Sequence, residues 1–277
     1  MPRAKPSTST KKASGTIRVG IGGWVYAPWR DNFYPKGLVH RRELEYASRQ
    51  VTAIEINGTF YGAQKPPTYA RWRDETPVGF VFSAKAPARI TMARDLSKTG
   101  GAIADFLGGL ATLGTKLGPV VWQFEQQKKI DRDRFAAFLD LLPPVAGGVK
   151  LRHVLDVRDP EFVDAGYVRM ARSHGFATVF TDSKEHASFA DLTAGFVYAR
   201  LMRSRAELGH GYTPRELGAW ARRARAWAEG EDLDELPHLD APQPFAGARD
   251  VFVFFIASAK ERNPAAAIAL LARLGAR

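Results

Sequence analysis

The sequence predicts an α/β protein, a single-domain (β/α)8 TIM-type barrel, and three observations carry that reading. Eight short apolar runs recur along the 277 residues, and helical periodicity or a loop follows each of them. Most of the runs are apolar on both faces, as strands of a parallel sheet covered by helices must be. Eight such units close more naturally into a barrel of about 250 residues than into an open doubly wound sheet.

In order, the strands fall at 17–22, 51–56, 79–85, 119–124, 153–158, 177–182, 195–201 and 251–256. Helices are expected at 41–49, 68–75, 101–114, 131–142, 161–174, 214–229 and 264–274. Asp159-Pro160, Thr213-Pro214 and Asn263-Pro264 each place a capping side chain before a proline suited to the first helical turn. The link between the sixth and seventh strands is short for a full helix. Residues 230–248, acidic and Pro-rich, read as a surface loop at the end away from the active face. Residues 22–38, long and aromatic, lie on the active face.

With 45% hydrophobic and 25% charged residues the chain can bury a sizeable core, and no apolar run approaches the ~18 residues of a membrane span. The absence of cysteine excludes disulfides, thiolate catalysis and Cys-built metal centres. The net charge of +11 is uneven: Arg3, Lys5, Lys11 and Lys12 supply four charges within residues 1–16. That segment has the composition of a disordered basic tail and lacks the apolar stretch of a secretory signal, so a cytoplasmic protein is expected. A second cluster, Arg203, Arg205, Arg215, Arg222 and Arg223, falls largely on a helix and reads first as a solvated face. Weak, non-specific nucleic-acid binding through the tail, this cluster and the aromatic loop is the alternative function.

Alternation along the strands selects candidate site residues, because inward side chains at the C-terminal strand ends line one mouth of a barrel. Glu55 and Asn57 face inward on the second strand, Ser83 and Lys85 on the third, Gln123 and Glu125 on the fourth, and Asp156 and Arg158 on the fifth. Asp182 ends the sixth strand in register with Phe180, and Tyr198 and Arg200 share the inner face of the seventh. A purely structural reading pairs Glu55 with Lys85, and Asp156 or Asp182 with Arg200. The concentration of ionisable groups at the mouth favours a site.

Glu55, Asp156 and Asp182 are the acid and base candidates for a hydrolase or isomerase. Lys85, Arg158 and Arg200 are the anchors for a small polar ligand bearing phosphate or carboxylate. Lys85 is read as an anchor rather than a nucleophile, since Glu55 beside it would raise its pKa. Trp24, Tyr26, Asn57, Tyr61 and Gln123 complete the binding set, with Trp29, Phe33, Tyr34 and Phe60 extending a stacking wall. No cofactor is expected: Gly20-Ile21-Gly22-Gly23 opens no helix, so neither a dinucleotide fingerprint nor a P-loop is supported. Metal is disfavoured, because the histidines at 40, 153, 174, 186, 210 and 238 avoid the strand ends. A carboxylate-only Mg²⁺ site on Glu55, Asp156 and Asp182 stays open.

The segments GIGGWVYAPWRDNFYPKGL, IEINGTFYGAQKPPTYARWRDETPVGFVFSAKAPARIT, KLGPVVWQF, FVYARL and DVFVFF resemble the YecE-like domain of unknown function, family seventy-two of the unknown-function series. The resemblance covers nearly everything after residue 16 and implies a (β/α)8-type barrel of unassigned role. It matches Gly23, Trp24, Tyr26, Trp29, Tyr34, Pro35, Glu55, Asn57, Thr59, Phe60, Tyr61, Lys85, Pro87, Gln123, Asp182 and Arg200. The chain departs from the pattern at Asp156-Val157-Arg158-Asp159, where the family tends to Glu-Phe-Arg-His, and at Met92, where histidine is usual. It departs again at Ile256-Ala257-Ser258, in place of Asn-Asn-Asp. If those positions act in relatives, activity here is altered.

Overall fold

The computed structural model describes residues 13–126 and 129–275. Its eight barrel strands are β1 (Ile17–Gly22), β2 (Ala53–Ile56), β3 (Val81–Lys85), β4 (Leu117–Phe124), β5 (His153–Val157), β6 (Ala177–Thr181), β7 (Phe196–Leu201) and β8 (Asp250–Phe255). Each pairs in parallel with the next, and β8 closes on β1. This is a single-domain α/β barrel of the TIM type.

Outside the strands lie α1 (Glu43–Gln50), α2 (Pro66–Glu75), α3 (Ala88–Thr91), α4 (Gly100–Leu110), α5 (Arg132–Asp140), α6 (Ala165–His174), α7 (Pro214–Ala228) and α8 (Asn263–Leu274). Thr213 caps α7 as expected, in a reciprocal capping box with Glu216. α6 begins later than the Asp159-Pro160 signal suggests. Asp159 instead takes the Glu161 N–H in a local turn, and Asp164 caps the helix through the Tyr167 N–H. Asn263 does not cap α8 either, because its amide donates to the Ala257 carbonyl. The sequence reading missed α3 and a two-residue hairpin, Val145–Ala146 with Val149–Lys150. No helix joins β6 to β7.

Two apolar layers fix which way the side chains point. Ala53, Val81, Val121, Val154, Ala177, Val179, Phe196, Tyr198, Phe252 and Phe254 fill the barrel interior. The outer layer packs strands on helices, as where Trp122 and Phe124 meet Phe138 of α5. The β3–β4 register slips by one residue: Phe82 faces Leu117, whereas Ala84 faces Val120. Gly118 permits this close approach, since a Cβ there would lie 2.3 Å from Val81 Cγ1. Past the slip, Lys85 lies beside Val121, and Gln123 shares the inward phase of Val121.

Most of the expected basic tail, residues 1–12, lies outside the described residues. Its last residues are tied down: the Gly15 N–H donates to the Ala228 carbonyl at 2.9 Å and the Thr16 N–H to Asp250 Oδ1 at 3.0 Å. The 230–248 loop is anchored where Leu239 and Asp240 donate their N–H groups to Asp191 and where Arg172 holds Asp240 at 2.7 Å. Between α7 and β8, it joins the barrel at the N-terminal end.

Candidate functional site

A cavity of about 430 Å³ opens at the C-terminal ends of the strands. Glu55, Asn57, Phe60, Tyr61, Lys85, Gln123, Glu125, Arg158 and Arg200 line it, together with Met202, Ile256, Ala257, Lys260 and Asn263. Its floor is organised by Arg200, which is 2% exposed. The guanidinium clamps Glu55 through Nε and Nη2, both at 2.9 Å, while Nη1 donates to Asp156 at 2.5 Å and to Gln123 Oε1 at 3.0 Å. Tyr198 gives Glu55 its third hydrogen bond, at 2.5 Å. Burial opposes the charge on Arg200, but Glu55 and Asp156 outweigh it and hold the guanidinium above its ordinary pKa. A charge so buried is tolerable only with this full set of partners.

Above this floor the cations are more loosely held. Lys85 ends β3 with its ammonium 3.9 Å from the Phe60 ring centroid, and the closest approach of a carboxylate is Glu125, also at 3.9 Å. Burial first, then the Arg200 guanidinium, push its pKa down to about 8, while Glu125 and Glu55 pull the other way. Arg158 shares Gln123 Oε1 at 3.2 Å and reaches Asp156 at 3.4 Å and Glu125 at 3.8 Å, leaving Nε without a partner. Lys260 rests over the Tyr26 ring at 4.5 Å, and burial lowers its pKa.

The surrounding loops are pinned. Thr59 donates to the carbonyl ends of both β2 and β3, through Ile56 and Lys85. Trp29 Nε1 donates to the Lys260 carbonyl, fixing the β8–α8 loop against the aromatic segment after β1.

Of the residues singled out by alternation, Glu55, Asn57, Lys85, Gln123, Arg158 and Arg200 line this cavity, and Asp156 stands behind it on Arg200. Asp156 pairs with Arg200, as one of the expected alternatives has it, but the other partnerships differ from expectation. Glu55 binds Arg200 rather than Lys85, and the Lys85 pKa falls instead of rising. Asp182 is elsewhere: it shares the outward phase of Phe180, which packs on Trp220 and Trp227 in the helical layer. Its carboxylate accepts the Met202 N–H and the Tyr212 hydroxyl, and burial raises its pKa. The Mg²⁺ arrangement through Glu55, Asp156 and Asp182 is therefore not assembled.

Trp24 also turns outward, edge-on to Trp72 at 4.9 Å. Trp29, Phe33 and Tyr34 pack together, so the stacking wall reduces to Phe60 and the 90% exposed Tyr61, with Tyr26 reaching the mouth through Lys260. The alternation turned Glu125 inward with Gln123 but gave it no role in the site, and it did not reach Lys260, which follows the last strand. His186 belongs to the same end despite the expectation for the histidines: its pKa is lowered by burial and then by Arg158, with Asp156 and Glu125 opposing. In the basic cluster, Arg205 is paired with Glu216 and Arg223 with Glu235.

The profile of the family described as "Protein of unknown function DUF72" matches residues 18–277. The chain belongs to the DUF72 family. The UPF0759 protein YecE of Escherichia coli K12 is 26% identical over 160 residues, 57% of this chain and 54% of its own length. This DUF72 member thus spans about half the length of the curated relatives it matches. Its fold is similar to a DUF72 family protein from Thermotoga maritima, with TM-score 0.72 and 16% identity over 94% of this chain and 99% of that one. A DUF72 family protein from Enterococcus faecalis gives TM-score 0.70 and 16% identity over 95% and 96%. No helix among the described residues is long and apolar enough to cross a membrane.

Proposed function

We propose that the barrel mouth binds a small polar ligand through an anionic group, a phosphate or a carboxylate. Arg158, Lys260 and Lys85 supply the positive charge, Phe60 and Tyr61 an apolar edge, and Asn57 and Gln123 further polar contacts. Glu125, set between Lys85 and Arg158, replaces Glu55, Asp156 and Asp182 as the acid or base that a hydrolase or isomerase would need.

The observation that carries this reading is the division of labour among the charges. Arg200 consumes the buried Glu55 and shares the half-buried Asp156 with Arg158, so three cations face a cavity in which Glu125 is the more accessible carboxylate among the described lining residues. A mouth with surplus positive charge and restricted solvent favours an anion.

Thermal unfolding in increasing inorganic phosphate tests the proposal. The wild-type protein gains stability with the logarithm of phosphate concentration, reaching about 2.7 kcal/mol at a hundredfold excess over Kd. Arg158→Gln and Lys260→Gln each weaken phosphate binding by about 1.5 to 3 kcal/mol, the range for a charge-assisted hydrogen bond, and so move the response to about ten- to more than a hundredfold higher phosphate. Lys85→Met folds, because Glu55 keeps Arg200, and it too loses phosphate response. Absence of stabilisation in the wild type by phosphate and by citrate, or an unchanged response in the Arg158→Gln/Lys260→Gln pair, overturns the proposal.

A further inference from the structure

We propose that Lys85 is a nucleophile that condenses with a carbonyl group of the ligand, so that the mouth takes an aldehyde or ketone bearing phosphate or carboxylate and holds it as an imine. This rests on the reading of the mouth as an anion site and adds the group that reacts.

The geometry sets Lys85 apart. Its side chain is 12% exposed and opens into the cavity from the end of β3, with Phe60 closing one flank of the ammonium at 3.9 Å. No carboxylate among the described residues is within hydrogen-bond reach of it. Glu125 is at 3.9 Å, and Glu55, the neighbour that would have held it, is locked to Arg200. The charged groups facing it are thus Glu125 and Glu55 on one side of the balance and Arg200 and Arg158 on the other, and burial tips it toward the amine at about 8. Such a lysine holds roughly a hundredfold more free amine at neutral pH than an exposed one. Desolvation beside another cation is a recognised route to an activated lysine.

The step balances with the groups present. The neutral Nζ adds to the carbonyl carbon, and the oxygen gains a proton to give a carbinolamine. Glu125 is placed to relay a proton to that hydroxyl, which leaves as water, and the Nζ lone pair forms the C=N bond. Overall, a lysine ammonium and a carbonyl become a protonated imine and water, with no oxidation or reduction. Arg158 and Lys260 retain the ligand's anionic group. Lys260 is also partly desolvated, but it rests on Tyr26 without a carboxylate beside it among the described residues to move the protons.

Pyridoxal 5′-phosphate, an aldehyde carrying a phosphate, is a direct probe. The full chain is incubated with it at substoichiometric ratio, reduced with borohydride, digested and mapped by mass spectrometry. The expected adduct sits on Lys85, with at least about tenfold preference over any other lysine given its larger amine fraction. It is suppressed by inorganic phosphate, rises as pH increases through 8, and is lost in Lys85→Arg. Label spread over exposed lysines such as Lys36 and Lys65, or concentrated on Lys260, overturns the proposal in the wild-type protein alone, whether or not the variant folds. Phosphate stabilisation without Lys85 labelling removes the imine and keeps the anion site. Lys85 labelling that phosphate neither blocks nor accompanies with stabilisation keeps the nucleophile and removes the anion site.

Discussion

At the N-terminal end of the barrel, Arg18 and Arg152 stand over the Phe252 ring, 5.8 and 5.6 Å from its centroid, and Arg152 holds Asp250 at 2.8 Å with both partners partly in solvent. At the C-terminal end, Arg200 is buried with Glu55 and Asp156, and a second layer of cations lies above it around an open cavity. The lower end uses arginine to lid an aromatic plug. The upper end has two layers, with a hydrogen-bonded ionic floor on Arg200 holding the strand ends together and Lys85, Arg158 and Lys260 more loosely held above it. Charge at a barrel end is therefore a poor indicator of a site until its partners are known.

Removing one arginine from each end gives the largest difference between them. Arg200→Met strands the Glu55 carboxylate, which is 0% exposed, and costs about 3 to 5 kcal/mol in urea unfolding. Arg152→Met removes a partly exposed pair and costs about 1 kcal/mol or less from the ion pair itself. Equal losses at the two ends would erase the distinction between floor and lid.

A pH titration of the lower half gives the next effect. His153 opens β5, accepts Trp122 Nε1–H at 3.0 Å and faces the Pro143 carbonyl with Nε2 at 2.8 Å. Burial pushes its pKa down to about 4. Because the folded pKa lies below that of the unfolded histidine, the unfolded chain binds the extra proton. Its contribution is present above about pH 6.5 and is lost as pH falls toward 4, roughly 2 kcal/mol between pH 7 and 4.5. His153→Gln flattens that part of the urea-midpoint profile, and an unchanged slope would place the acid sensitivity elsewhere.

The smallest effect is at the rim. Ala257 and Ser258 adopt φ of 58° and 46°, a region that L side chains other than Asn and Asp disfavour. Ala257→Asn raises stability by about 0.5 to 1 kcal/mol in thermal melts. A loss would mean that the backbone here is held by contacts that outweigh its local preference. The Asn and Asp that the family resemblance implies at 257 and 258 would suit this backbone, which Ala257 and Ser258 occupy here instead.

Strand count, closure and the inward phase of Glu55, Lys85, Gln123, Asp156, Arg158 and Arg200 were legible in the sequence, because polar residues at these strand ends alternate with bulky apolar ones that belong to the helical layer. Asp182 was misplaced for an identifiable reason. Small Ala177 and Val179 fill the interior of β6, so the bulky Phe180, and with it Asp182, belongs to the helical layer. Partnerships were legible only in part: Asp156 meets Arg200 as one of the expected pairings has it, but Glu55 does not meet Lys85. Glu55 and Lys85 come from adjacent strands, whereas Arg200 spans the barrel from β7, and nothing in local spacing records the reach of a long side chain across a closed sheet. Lys260 and His186 lie on loops, whose folding back over the mouth depends on contacts such as Trp29 to the Lys260 carbonyl, 231 residues apart in the chain.

If the loosely held cations of the upper end form an anion site, as proposed, and those of the lower end do not, an anion will distinguish the two ends. Crystals soaked in tungstate, a tetrahedral stand-in for phosphate with a strong anomalous signal, test it directly. The expected anomalous peak lies within hydrogen-bond reach of Arg158 and Lys260 in the mouth. A peak over Arg18 and Arg152 with the mouth empty would contradict it.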